Sequence, residues 1–402
     1  MKKSFTRKAI ALMIAVLMLG AVAGCGGSSK PANTAAPAAN NQPAAADTIK
    51  IGLNMELSGD VASYGSSSHE GAVLAIEHLN ADGGVLGMQI EGIDKDNKSD
   101  IAEAATRSAA LVDEGIAAQV GPLVSGLVNA CTPVLSEAGI PIVAPAGTAA
   151  NVTVADDGST KPYAFRVCFI DPFQGRLMAQ FALDNGYTKA AVFKDTSSDY
   201  GQGLAEQFIS TFEGAGGEIV AEEAYNTGDR DFRAQLGTLA AAEPEFLYIP
   251  GYYQEVAPLI KQAREAGMEM PMGGPDGWDS ADMVAVAGAE ALNNSFFTNH
   301  YSAEDTDPKV VAFVDAYKAK YNGKVPDAFA ALGYDAVMAV AKAIEDAGSA
   351  EPQAITDALA ALSDFEGVTG TMTMDECHNP IKAGVVIEYV DGAQTLNTRI
   401  EP

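Results

Sequence analysis

From Thr48 onward, short apolar runs alternate with stretches whose apolar residues recur at helical spacing. Thr48 to Met55 (TIKIGLNM) is β-branched and apolar and predicts a strand, and Gly65 to Asn80 then carries the period of an amphipathic helix. Met88 to Asp94 predicts a second strand and Ile101 to Glu114 a second helix. The alternation continues through Ala117 to Val120, Pro141 to Val143, Ala190 to Phe193, Glu218 to Ala221 and Phe246 to Ile249, each followed by a helix or a Gly/Pro loop. Strands alternating with helices predict parallel sheets covered on both faces, the α/β class. Roughly 350 residues exceed what one such core holds, so two lobes are expected.

In open α/β sheets ligands bind beyond the carboxyl ends of strands, so the chemistry belongs in the loops that follow them. Glu56-Leu57-Ser58-Gly59 and then Tyr64-Gly65 follow the first strand. Gly121 to Gly126 and Ala144-Pro145-Ala146-Gly147-Thr148 follow two others, and Asp195 to Gly203, Pro250 to Tyr253 and Gly273 to Trp278 follow strands of the second half. Small residues let backbone amides approach a ligand, and Ser or Thr at a helix start sets a hydroxyl beside the positive end of the dipole. Capping and turn chemistry explains any one of these loops alone; their number is what points to a site.

The first 47 residues have a different pattern. Lys2, Lys3, Arg7 and Lys8 precede an apolar run from Ala9 to Leu19, and Val22-Ala23-Gly24-Cys25 closes it with small residues before a cysteine. That is the layout of a lipoprotein signal over residues 1–24, with Cys25 as the lipidated N-terminus. The apolar core is shorter than the roughly 20 residues a spanning helix needs. Residues 25–47 are mostly Gly, Ser, Ala, Pro, Asn and Gln, with Lys30 the only charge before Asp47, a tether that cannot bury enough to fold. Losing the four positive charges of the signal takes the formal charge from −28 to −32. Such an acidic body opposes nucleic acid and anionic lipid headgroups and leaves a zwitterionic or cationic small molecule open.

Enzyme signatures are broken. His69-Glu70 begins like a zinc protease motif, but Val73 stands where the second His belongs, and Gly201-Gln202-Gly203 is followed by Glu206 where a dinucleotide fingerprint needs glycine. His69 and His78 read as surface or packing residues. Cys131, Cys168 and Cys377 lack zinc spacing, allow at most one bridge, and for the first two read as small buried hydrophobes. Neither a catalytic nucleophile nor a metal or cofactor is expected.

The segments IGLNMELSGDVASYGSSSHEGAVLAIEHLNADGGVLG (51–87), VGPLVSG (120–126), PIVAPAGT (141–148), DYGQGLAE (199–206), GYYQEVAPLIKQAREAG (251–267) and GGPDGW (273–278), in this order and spacing, carry a resemblance. The chain resembles the Leu/Ile/Val-type periplasmic binding proteins of ABC transporters over nearly all of residues 48–400. The resemblance implies two Rossmann-like lobes joined by three crossover strands, with residues 48–169 and 299–365 in one lobe and 170–298 and 366–402 in the other. It also implies a monomer that traps an amino acid, branched-chain or otherwise apolar, and hands it to permease subunits from the extracytoplasmic face of a membrane. A sensory lipoprotein presenting its ligand to a receptor has the same fold and remains open.

Carried over position by position, the resemblance sets the ligand carboxylate against the Ser125 hydroxyl and the amides near Ser125 and Thr148, with Ala146 and Gly147 bringing the chain close. Alanine is usual where Gly147 stands. Tyr200 and Tyr252 cover the ligand from the other lobe, and Asp276 pairs with the α-ammonium. Glu is common at that place, and Asp is one methylene shorter, so either the lobes close further or a water bridges the gap. Tyr64 lies at the side-chain end of the pocket, and Trp278 is expected to narrow or extend it.

Overall fold

The computed structural model describes residues 48–400 of the chain. The signal over residues 1–24, Cys25 and the tether up to residue 47 lie outside the described residues. The first layer is built from β1 (Ile49–Met55), α1 (Ala62–Ala81), β2 (Ile90–Asp96), α2 (Ile101–Asp113), β3 (Ala118–Val120), α3 (Ser125–Ala138), β4 (Ile142–Ala144) and β5 (Ala164–Arg166). Its five strands run parallel in the order β2-β1-β3-β4-β5. The inner strands are short and buried on both faces, which is why they read as unbroken apolar runs.

The chain then enters a second layer through α4 (Asp171–Asp184), β6 (Lys189–Asp195), α5 (Asp199–Gly214), β7 (Glu218–Tyr225), α6 (Arg233–Ala241), β8 (Phe246–Tyr248), α7 (Tyr253–Glu265), β9 (Met272–Gly274), the short α8 (Ala281–Ala287) and α9 (Ala289–Leu292), and β10 (Ser295–Asn299). It returns to the first layer as α10 (Pro308–Lys320), α11 (Ala328–Ala347) and α12 (Pro352–Ala360), with α11 lying along α1. A small three-stranded sheet follows, β11 (Phe365–Gly367), β12 (Gly370–Met374) and β13 (Pro380–Ile381). Finally β14 (Gly384–Val390) and β15 (Ala393–Ile400) complete the second sheet in the order β15-β14-β10-β9-β8-β6-β7.

Strands β6 to β10 of that sheet are parallel, and β14 and β15 add antiparallel at one edge. The hairpin between them turns on Asp391 and Gly392, both at positive φ, the backbone a tight Asp-Gly turn requires. At the opposite edge β7 runs four residues further than its apolar start predicts, because an edge strand needs only one buried face. Glu222 there takes an ion pair from Lys194 at 2.9 Å. Among the described residues no helix is long and apolar enough to cross a membrane. Cys131 and Cys168 are buried, while His69 meets Asp94 and His78 meets Tyr334, both as packing contacts.

Candidate functional site

The loops after the strands of the two sheets face each other. On the first side, Glu56 is fully buried just past β1, and Oε1 accepts the amides of Leu123 at 3.0 Å and Val124 at 3.1 Å. Burial pushes this carboxyl up to about 7, against the pull of those amides. The turn that leads into α3 is therefore gripped from behind by an acid. Ser125, the first residue of α3, accepts the Ala149 amide on Oγ at 3.1 Å, tying α3 to the segment after β4.

Arg166, at the end of β5 and fully buried, holds that same segment. Its Nη1 donates to the carbonyls of Gly147 at 2.6 Å and Ala149 at 3.0 Å, and Nη2 donates to Thr153 Oγ1 at 2.9 Å. Thr148 Oγ1 is buried and meets no hydrogen-bonding partner among the described residues. This wall thus offers backbone groups and hydroxyls whose positions are set by two buried ionisable side chains, Glu56 and Arg166.

The second wall is built from side chains. Tyr200, near the start of α5, and Tyr252, just ahead of α7, stack with centroids 4.7 Å apart and planes 1° from parallel. Tyr200 Oη donates to Asp276 Oδ1 at 2.6 Å and accepts the Gly277 amide at 2.9 Å. Gln174 on α4 donates from Nε2 to Asp276 Oδ1 at 3.1 Å, and its Oε1 accepts the Asp276 amide at 3.2 Å and the Thr298 hydroxyl at 2.8 Å. His300 Nε2 lies 2.8 Å from Asp276 Oδ2. Asp171, at the start of α4, is pushed up to about 7 by burial and by the charge of Asp276.

Between the walls lies a small cavity lined by Tyr64, Leu123, Val124, Ala146, Tyr200, Tyr252, Asp276, Gly277 and Phe329. Tyr64 closes one end: its hydroxyl donates to the Gly277 carbonyl and accepts the Tyr253 amide at 3.2 Å, and its ring lies 4.5 Å from that of Phe329. Ser63 and Ser280 also join the walls, hydroxyl to hydroxyl at 2.8 Å, as does Asn151 with Asp199 at 2.8 Å. The cleft is shut.

Of the residues expected at the site, Tyr64, Ala146, Tyr200, Tyr252 and Asp276 meet around this cavity. Ser125 lines a wider, outer part of the cleft together with Tyr200 and Tyr252. Gly147 and Thr148 are not in the lining, and a Cβ on Gly147 would meet Val128 at 3.1 Å and Ala144 at 3.2 Å, inside its own layer. Glycine there relieves packing behind the wall. Trp278, expected to shape the pocket, does not reach it. It is wholly buried, donates from its indole to the Ile249 carbonyl at 3.2 Å, and lies over Gly274, where any side chain would strike the ring.

Arg166, Gln174, His300 and Phe329 were not singled out from the sequence, and Glu56 only as the first residue of the loop after the first strand. His300 left the clearest trace, a rare histidine at the end of an apolar strand. Among the described residues no group of three or more His, Cys, Asp or Glu could hold a metal.

A family profile described as periplasmic binding protein matches residues 48–394. The chain is 34% identical over 334 residues to the leucine-, isoleucine-, valine-, threonine- and alanine-binding protein of Pseudomonas aeruginosa, covering 83% of this chain and 87% of that one. Among solved structures it is similar to the branched-chain amino acid transporter substrate binding protein LivJ from Streptococcus pneumoniae in complex with isoleucine, at 38% identity and a TM-score of 0.82, covering 88% and 99% of the two chains. The leucine binding protein LivK from Thermotoga maritima gives 35% identity, a TM-score of 0.82 and the same coverage. This chain belongs to the periplasmic binding protein family, two α/β lobes that capture a solute outside the cytoplasm, and is not an enzyme.

Proposed function

We propose that the chain captures a branched-chain or other apolar L-amino acid between its two lobes and delivers it to an ABC permease. One observation carries this reading. A small cavity with a single carboxylate, Asp276, lies beside an outer part of the cleft that holds Ser125 at the start of α3, so a negative charge and a helix N-terminus, the two receptors a zwitterion needs, stand on opposite walls. The apolar lining from Leu123, Val124, Tyr64 and Phe329 favours an apolar side chain. The names of the similar proteins, which bind leucine, isoleucine or valine, support the same class.

In this reading the Ser125 hydroxyl and backbone amides near Ser125 and Thr148 receive the carboxylate, and Tyr200 and Tyr252 cover the ligand with their faces, cation-π attraction adding of order 1 kcal/mol. Because the ligand touches both walls only when the cleft is shut, its differential affinity drives closure, and the permease reads the closed shape. The lobes comprise 48–169 with 299–365 and 170–298 with 366–402, and the protein acts as a monomer. Cys25 carries the lipid that anchors it, with residues 25–47 as tether. Mass spectrometry of the mature N-terminus tests the anchor, an unmodified residue upstream of Cys25 contradicting it. A thermal-shift screen against the amino acids tests the function: leucine, isoleucine or valine should raise the melting temperature by mass action, and a shift only with sugars or inorganic anions would overturn it.

A further inference from the structure

His300 stands just beyond β10, where the chain leaves the second sheet, and belongs to two surroundings. Its Nε2 lies 2.8 Å from Asp276 Oδ2, and its ring stacks on Phe169 with centroids 3.7 Å apart. It also lines a separate cavity with Tyr301, Asp305, Thr369 and Arg399. The hydrogen-bond network assigns its tautomer. Next to a carboxylate Nε2 must be the donor, and Nδ1, which meets no partner among the described residues, is the nitrogen without a proton.

Counting acceptors shows what this contact controls. A carboxylate offers about four lone-pair sites. Oδ1 of Asp276 takes two donors, Tyr200 and Gln174, and Oδ2 takes His300. The site left over is on Oδ2, the oxygen that His300 holds.

We propose that His300 is a positioning residue for ligand capture: as a neutral donor it aims the remaining acceptor of Asp276 at the ligand ammonium, and on taking a second proton it competes with that ammonium for the carboxylate. The proposal rests on the amino-acid reading above. The charged groups around the ring are Asp276 from the turn after β9 and Lys382 from the segment between β13 and β14, with Asp171 and Arg166 beyond Asp276. Burial lowers the imidazole below its ordinary value, Lys382 adds to that, and Asp276 opposes both. His300 is therefore neutral near pH 7 and takes its second proton only on acidification. A bound ammonium lowers it further, so by linkage acid weakens binding.

The test is calorimetry of L-isoleucine with the full-length chain as wild type, His300→Gln and His300→Phe, at pH 7.5 and pH 5. His300→Phe, which keeps the stacking and removes the donor, should weaken binding by about tenfold or more, and His300→Gln, which restores an N–H, should recover most of the loss. Acidification should weaken wild type by about threefold more than His300→Gln; Asp171 titrates in both, so the difference isolates His300. Equal affinity in wild type and His300→Phe, or parallel acid responses, would overturn the proposal. If His300→Phe does not fold, ring-nitrogen NMR of wild type decides: the His300 titration should move to lower pH when isoleucine is added, and an unmoved titration overturns the idea. Wild type that binds no isoleucine at any pH would remove the amino-acid reading and this proposal with it, whereas wild-type binding with unaffected variants removes this proposal alone.

Discussion

The two walls of the cleft do opposite things with their charges. On the first wall the buried ionisable groups, Glu56 and Arg166, bond to the backbone that lines the cavity rather than to its interior. On the second wall the buried ion, Asp276, faces the cavity and is itself held, by Tyr200, Gln174 and His300. A carboxylate ligand needs neutral donors in fixed positions, which backbone supplies once something immobilises it; an ammonium needs a charge, which only a side chain supplies. One wall recognises by geometry and the other by charge. Substitutions should therefore act on stability at the first and on affinity at the second.

The largest effect is expected where the charge itself goes. Asp276→Ala removes one partner of a desolvated pair and should weaken L-isoleucine binding by about 2 to 5 kcal/mol in calorimetry. Its melting temperature should change little in comparison. Unchanged affinity would remove the ammonium from this wall and erase the contrast.

Glu56 tests the first wall through pH. Its carboxyl is raised in the folded chain from 4.5 to about 7 by burial. A raised acid favours the folded state fully below the unfolded value, and that favour is lost as the pH climbs from 4.5 through about 7. Wild type should thus lose stability over this window, and Glu56→Gln should flatten the loss by about 1 to 3 kcal/mol, with Asp171 leaving a residual slope in the same direction. Thermal melts at pH 5 and pH 8 check it; identical slopes in the two proteins would show that Glu56 is not the wall's clamp.

The smallest effect belongs to a hydroxyl whose work is shared with backbone. Ser125→Ala leaves the Ala149 amide without its acceptor and should cost about 0.5 to 1.5 kcal/mol in binding, because neighbouring amides still meet the carboxylate. A loss as large as that of Asp276→Ala would mean that the first wall, too, recognises through one side chain.

This division also explains what could be read from the sequence. The second wall announces itself in residue types, Tyr200, Tyr252 and Asp276, set in loops after strands, and the structure gathers them. On the first wall the sequence shows only small residues, because the surface is backbone. The groups that fix it, Glu56 and Arg166, sit at strand ends, and only tertiary folding brings Arg166 to the loop that carries Gly147 and Ala149. Trp278 failed for a related reason: proximity in sequence to Asp276 says nothing of direction, and its ring turns into the core against Gly274. The alternation of strands and helices was legible because periodicity is local. The β14–β15 hairpin, which joins the second sheet after an excursion through the first layer, was not.

A neutral wall and a charged wall together read a zwitterion. The most direct measurement compares L-isoleucine with 3-methylpentanoate, the same molecule without its ammonium, by calorimetry on the wild-type chain. If Asp276 faces that ammonium, isoleucine binds and the analogue, leaving the carboxylate buried and unpaired, is weaker by at least about a hundredfold; equal affinity for the two would contradict the claim.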